Sequence, residues 1–189
     1  MYLFGYGSLI NITSAQKSFK RVLKQEDLIP VSIKGFQKVW NSIENIKFEE
    51  EKVNGIFLNL KENPNTSTCG VVLKITDEEF ELLKLREKNY SQITIKASKA
   101  DIPLDSDIVA FMTTNGEKLA KKGDKNCFIP TKYIEILTSS FPSYSIDFVN
   151  KYKECLQEYP FALKEGTYAF SDPIQNKFAK EGLDNSETK

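Results

Sequence analysis

The sequence of 189 residues contains no histidine. Ser-His-Asp and Cys-His catalytic groups are therefore excluded, and so are zinc and haem sites with imidazole ligands. An enzyme built from this chain needs a carboxylate, a lysine, a tyrosine or a thiol to carry protons. Cysteine is also scarce, because Cys69, Cys127 and Cys155 lie far apart and form no C-x-x-C pair. This spacing indicates neither a zinc knuckle nor a thioredoxin-type site.

An excess of charge and a long apolar run are missing as well. Lys plus Arg and Asp plus Glu both number 26, so the formal net charge is zero. A balanced charge gives no reason to expect nucleic acid or an anionic membrane as a partner. No apolar run approaches the ~20 residues of a membrane span, and no secretory signal is recognisable. We therefore expect a cytoplasmic protein that binds neither nucleic acid nor membrane.

The succession of predicted elements indicates an α+β fold. Strands and helices alternate irregularly, which argues against a regular βαβ succession and fits a curved sheet or small barrel with helices around it. We predict one domain over residues 1–170, followed by a polar tail over residues 171–189 that we expect to be mobile. Strands are predicted over residues 1–6, 28–36, 38–43, 52–60, 68–75, 90–96 and 108–113, with a loop over 61–67. Helices are predicted over residues 11–23, 76–87, 131–140 and 145–158.

The most clearly marked helix begins after Thr76. Thr76 and Glu79 have the spacing of a capping box, in which each side chain bonds the other residue's backbone N–H. Glu87, near the helix end, lies on the same side as Phe80 and Leu83. A carboxylate that faces inward loses hydration and has a raised pKa, which suits proton transfer near neutral pH. The alternative is an ion pair with a neighbouring lysine, or an exposed helix end.

A second unusual segment, FGYGSLI over residues 4–10, interrupts the end of the first predicted strand. Gly5 and Gly7 begin the dinucleotide-binding pattern G-x-G-x-x-G, but its third glycine position is occupied by Ile10, so the pattern fails. Glycines can instead expose successive backbone N–H groups to an anion, and Ser8 adds a hydroxyl group. The alternative is that the glycines only permit a tight turn between a strand and a helix.

Together, FGYGSLI and the later segment DEEFELLKLREKNY (77–90) resemble the γ-glutamylcyclotransferase superfamily, and most closely its ChaC-like, glutathione-degrading branch. The resemblance spans residues 2–160 and implies that family's fold, a small mixed, barrel-like β-sheet flanked by helices. It implies that Glu87 is the catalytic acid and base. It also implies a set of substrate-binding residues, namely Gly5, Tyr6, Gly7, Ser8, Leu9, Ile10 and, from a looser match, Tyr133.

The implied reaction cyclises a γ-glutamyl group to 5-oxoproline and releases an amine or a dipeptide, which is Cys-Gly when the substrate is glutathione. The substrate is a small molecule, and the scheme requires no metal or other cofactor.

Two departures from the family pattern bear on the choice of substrate. The glutathione-cleaving branch usually has a double glycine before the tyrosine of the catalytic segment, and here KNY has none. That branch also has a basic stretch after its tryptophan, whereas no arginine follows Trp40 in NSIENIKFEEEK. Two alternatives therefore stay open: a cyclotransferase for other γ-glutamyl amines or amino acids, and a non-catalytic γ-glutamyl-binding domain of the same fold.

Overall fold

The computed structural model describes residues 1–182, in which eight strands form one sheet with helices around it. The strands are β1 (Tyr2–Gly5), β2 (Ile29–Phe48), β3 (Glu51–Lys74), β4 (Ser91–Ile95), β5 (Ile108–Met112), β6 (Cys127–Pro130), β7 (Ala162–Lys164) and β8 (Tyr168–Phe170). The helices are α1 (Ile12–Gln16), α2 (Asp77–Arg86), α3 (Thr131–Thr138), α4 (Ile146–Lys153) and α5 (Pro173–Lys180). The predicted α+β class is confirmed. Of the helices described, α2 is the longest at 10 residues, and none could cross a membrane.

The sheet is mixed, and its short first strand lies at the centre. The strand order is β4-β5-β1-β3-β2-β8, with β6 beside β3 and β7 beside β6. β1 pairs antiparallel with β3 and parallel with β5. It ends at Gly5, which lies opposite Val71 of β3. The glycine-rich segment therefore leaves the sheet from its middle rather than from an edge.

Two long strands, β2 and β3, pair along almost their whole length and replace four shorter predicted strands. The predicted loop over residues 61–67 is instead an irregular stretch of β3, with the register shifting between Lys34 and Phe36. Gly35 adopts a positive φ of 88° at this shift. Pro64, which misled the prediction, falls where the ladder is interrupted. There the missing N–H of proline costs no ladder bond.

β5 is the neighbouring strand of β1 to which the glycine segment is hydrogen-bonded. All five of its residues, IVAFM, are buried, and it lies between β4 and β1. An unbroken apolar run is typical of a strand covered on both faces. Its Phe111 carbonyl oxygen accepts a hydrogen bond of 2.7 Å from the hydroxyl of Tyr6.

The structure differs from the prediction near the C-terminus. Residues 173–180, placed in the polar tail, form α5, so the folded domain extends beyond residue 170. The physical reason is a strong helix start, because the Asp172 carboxylate accepts hydrogen bonds of 3.0 Å from the N–H groups of Ile174 and Gln175. Pro173 at the first helical position also suits a helix start. The last part of the predicted tail, residues 183–189, lies outside the described residues.

Candidate active site

A cavity of about 720 Å³ lies beside the end of β1. Its inner wall includes the buried side chains of Phe4, Tyr6 and Leu83. Its rim includes the exposed residues Lys132 and Lys180. A volume of this size is typical of sites for small molecules.

The cavity brings together seven of the eight site residues predicted from the sequence. These are Gly5, Tyr6, Gly7, Ser8, Leu9, Glu87 and Tyr133. Ile10 is the exception, since it is 0% exposed, belongs to the hydrophobic core and does not line the cavity. Ile10 ends the 3₁₀ turn Ser8–Ile10, which directs it inward under the loop. Its predicted contact with the substrate is therefore corrected to a role in packing.

The glycine segment presents backbone donors to the cavity. Within residues 1–182, the N–H groups of Gly7, Ser8 and Leu9 have no hydrogen-bond acceptor, whereas the next two amides bond back to Gly7 and Ser8. The hydroxyl of Ser8 also has no partner within that range. Successive unpaired N–H groups in a turn form a concave site that favours negative charge. The anion-cradle interpretation therefore has a geometric basis.

Close contacts explain why the segment needs glycines. A Cβ atom added to Gly7 would lie 2.6 Å from the hydroxyl oxygen of Tyr133, and one added to Gly5 would lie 2.6 Å from the Cβ of Leu9. Both distances are shorter than real Cβ contacts. Gly7 has a φ of −112°, so contact with Tyr133, and not a left-handed backbone, is what excludes a side chain. A tight turn alone would not require this.

Two tyrosine hydroxyl groups anchor the segment. The hydroxyl of Tyr6 donates to the carbonyl oxygen of Phe111 at 2.7 Å. The hydroxyl of Tyr152, on α4, donates to the carbonyl oxygen of Tyr6, also at 2.7 Å. Burial raises the pKa of Tyr6, so its hydroxyl stays protonated and remains a donor. The turn is thus fixed both to the sheet and to a helix.

Glu87 lies at the C-terminal end of α2 and lines the cavity beside Leu83. The capping box predicted at the other end is present, with Glu79 N–H bonded to Thr76 Oγ1 at 3.2 Å and Thr76 N–H bonded to Glu79 Oε2 at 3.0 Å. The side chain of Glu87 is only 19% exposed, so Glu87 is not part of an exposed helix end.

Three influences set the ionisation of Glu87. Burial raises its pKa, the guanidinium of Arg86 lowers it from 3.2 Å, and the nearby carboxyl of Glu44 raises it. The net direction is upward. Its ionic partner is therefore the adjacent arginine, not the lysine considered from the sequence. A carboxyl group with a raised pKa can both accept and return a proton nearer neutral pH.

Glu44 is a residue that the sequence interpretation missed. It lies on β2 and is 4% exposed, and the neighbouring side chains of Tyr90, Gln175 and Asn89 act to lower its pKa. Burial raises the pKa of Glu44 as well. The available signal was the period of two along β2, because Trp40, Ile46 and Phe48 lie at alternate positions on the same face as Glu44.

The opposite influences of Arg86 and Glu44 predict opposite pH dependences. Arg86→Gln removes a cation that stabilises the Glu87 carboxylate, so the pKa of Glu87 rises further. Glu44→Gln removes a group that disfavours that carboxylate, so the pKa of Glu87 falls. We expect the acidic limb of the kcat/KM profile to move to higher pH in Arg86→Gln and to lower pH in Glu44→Gln. Movement of both limbs in the same direction would contradict this electrostatic account of Glu87.

Metal ligands are not grouped at this site or elsewhere in residues 1–182, where no three Cys, Asp or Glu side chains could hold a metal ion.

Comparisons with known proteins place this geometry in a family context. A family model described as ChaC-like protein matches residues 1–159. A solved structure named gamma-glutamyl cyclotransferase aligns with a TM-score of 0.60 at 14% identity, covering 95% of this chain and 98% of that chain. The structure of a human protein described as uncharacterized aligns with a TM-score of 0.56 at 15% identity, covering 95% of this chain and 98% of that chain. The structure of YkqA from Bacillus subtilis aligns with a TM-score of 0.57 at 19% identity, covering 86% of this chain and 56% of that chain. Among curated proteins, no sequence matches.

Proposed function

Because the chain belongs to the ChaC-like family of γ-glutamyl cyclotransferases, we propose that it converts glutathione to 5-oxoproline and Cys-Gly. One observation carries the proposal. Glu87 and the segment over residues 4–9 are far apart in the sequence, yet they line one cavity with a donor-rich wall and one partly buried carboxyl group.

The reaction needs a curled substrate. The α-amine of the γ-glutamyl group must attack the δ-carbonyl carbon of the same group and close a five-membered lactam. Nucleophile and electrophile belong to one molecule, so a cavity that holds the curled conformer supplies much of the rate acceleration. The N–H groups of Gly7, Ser8 and Leu9 are suited to bind negative charge. That charge is either the substrate α-carboxylate or the oxygen anion of the tetrahedral intermediate.

Glu87 handles the protons in this proposal. As a carboxylate it accepts a proton from the substrate ammonium group, which frees the nitrogen lone pair for attack. The new C–N bond forms while the carbonyl oxygen gains negative charge. When the oxygen re-forms the double bond, the original amide C–N bond breaks, and Glu87 returns the proton to the departing nitrogen. Glu87 then takes the second proton from the ring nitrogen, which becomes the lactam N–H, and passes it to the released amine, which leaves as an ammonium group. Atoms and charges balance without water, and Glu87 ends as it began.

The test of the proposal is the direct detection of products. We expect incubation with glutathione to release 5-oxoproline and Cys-Gly in equal amounts, detected by mass spectrometry. A parallel incubation with γ-glutamyl-alanine addresses the first alternative. If only that compound yields 5-oxoproline, the protein is a cyclotransferase for other γ-glutamyl compounds. If glutathione binds and no 5-oxoproline appears from either compound, the non-catalytic binding domain is the better description.

The wider expectations from the sequence stay predictions. These are a cytoplasmic location, the absence of a nucleic acid or membrane partner, and a reaction without a cofactor.

A further inference from the structure

One wall of the cavity comes from outside the segment that the family model matches. The match ends at residue 159, whereas Tyr168, Phe170, Gln175, Ala179 and Lys180 also line the cavity. These residues belong to β8 and α5. The chemistry and this wall are therefore encoded in different parts of the chain.

The helix α5 is fixed to the domain at several points around the cavity. Gln175 is 9% exposed, and its side chain interacts with the buried carboxyl group of Glu44. Near the other end of the helix, Lys17 Nζ donates to the carbonyl oxygen of Ala179 at 2.7 Å. At its start, Asp172 pairs with Lys88 at 2.7 Å. α5 is thus a built wall of the cavity.

The charged residues that line the cavity are mostly cations. Among residues 1–182, Glu87 is the one acidic residue in the lining, and Arg86 pairs with it at 3.2 Å. Lys132 pairs with Glu135 at 2.7 Å. Lys17 and Lys180 also line the cavity, and within residues 1–182 neither forms an ion pair with an acidic group.

The orientation of the substrate in the cavity follows from the positions of these charged residues. In the proposed reaction, the γ-glutamyl group occupies the inner end, between Glu87 and the N–H groups of Gly7, Ser8 and Leu9. The leaving group must then extend outward, along the wall formed by α5 and toward the rim. Lys180 is exposed there and has no acidic partner in the described part of the chain.

We propose that Lys180, with Lys17 beside it, binds a carboxylate on the leaving group. This inference rests on the proposed function and narrows the substrate class to γ-glutamyl compounds whose leaving group is an anionic amino acid or peptide. A neutral amine as leaving group would leave both ammonium groups without a counter-charge. The free carboxylate of Cys-Gly fits this requirement.

The experiment compares glutathione with its glycine monoethyl ester, which differs by one negative charge at the leaving group and shares the γ-glutamyl part. We expect wild-type protein to favour the free acid in kcat/KM. Lys180→Gln is expected to reduce that preference by about five- to tenfold, the effect of one partly screened charge contact. The matched control is Lys122→Gln, which removes the same charge from an exposed position outside the cavity and is expected to keep the preference.

A second readout separates this inference from the proposed function. The same two ligands are titrated into the Glu87→Gln variant by calorimetry, with and without Lys180→Gln. If Glu87→Gln binds the free acid more tightly than the ester, and Lys180→Gln removes that difference, the carboxylate subsite is supported. This holds even if no turnover is found in any assay. Equal kcat/KM for acid and ester with the wild-type protein, together with equal Kd for both in Glu87→Gln, would overturn the inference while leaving cyclisation intact. Equal effects of Lys122→Gln and Lys180→Gln would overturn it as well.

Discussion

Glu87→Gln is expected to lower 5-oxoproline formation by about 10²–10⁴-fold, the usual contribution of a general acid and base. The amide is nearly the same size as the carboxyl group but cannot take a proton from the substrate ammonium group. Because Glu87 is partly buried with a raised pKa, a neutral replacement is compatible with its surroundings, and we expect the melting temperature to be preserved. The measurement is the rate of 5-oxoproline release at saturating and at low glutathione.

The matched control for Glu87→Gln lies on the same helix. Glu81 is exposed and pairs with Lys84 at 2.6 Å, and it does not line the cavity. Glu81→Gln makes the same chemical change at the surface and is expected to retain wild-type turnover. A Glu87→Gln variant that releases 5-oxoproline at a rate close to that of Glu81→Gln would end the assignment of Glu87 as the proton carrier.

Gly7→Ala is expected to cause the second large loss, about 100-fold in kcat/KM, although it adds one methyl group. The new Cβ would lie 2.6 Å from the hydroxyl oxygen of Tyr133. That ring is held by Phe57 at 4.9 Å and by Trp40 at 6.0 Å, so the loop must give way at least in part. A shift of about 1 Å in groups that position a substrate costs about 100-fold.

A double variant tests whether this clash is the cause. Tyr133→Phe removes the hydroxyl group, and the nearest ring carbon would then lie 3.8 Å from the added Cβ, an ordinary contact. We therefore expect Gly7→Ala/Tyr133→Phe to recover most of the activity of Tyr133→Phe alone. If the double variant is as weak as Gly7→Ala, then the close approach to Tyr133 is not why this position is glycine.

Local chemistry made part of the fold predictable. Thr76 and Glu79 identified the start of α2 from side chains only three positions apart, and the structure confirms that capping box. The inward side of that helix also followed from sequence spacing, since Leu83 is buried at 1% exposure and Glu87 lies one turn away. Features that depend on neighbours within a few residues can be derived from the chain alone.

Long-range contacts account for what the sequence interpretation missed. Pro64 and its neighbours predicted a loop, but Glu62 and Ser67 on either side of them pair with β2, so the stretch is an interruption within β3. Glu44 was not identified from the sequence, because its interior neighbours Tyr90 and Gln175 are brought to it only by the fold. α5 was assigned to a polar tail because its few apolar residues do not reveal that it forms a wall of a cavity. In each case the deciding partner lies more than 20 residues away in the sequence.

The placement of the candidate site residues depended on the resemblance to a family, not on physical pattern alone. Gly5 and Gly7 by themselves favoured a simple tight turn between a strand and a helix. Their contacts with Leu9 and Tyr133 became visible only in three dimensions. Ile10 shows the limit of transfer by motif, because it falls in the matched segment yet packs into the core.

The two tyrosine bonds to the loop have a thermodynamic consequence. The carbonyl oxygen of Phe111 accepts a hydrogen bond from the hydroxyl of Tyr6, and the carbonyl oxygen of Tyr6 accepts one from the hydroxyl of Tyr152. These bonds order the turn before any ligand binds. Little conformational entropy then remains to be lost on association, and the binding free energy of a small zwitterion is not spent on ordering the chain. The receptor is preorganised, and rigidity at this turn is itself a contribution to affinity.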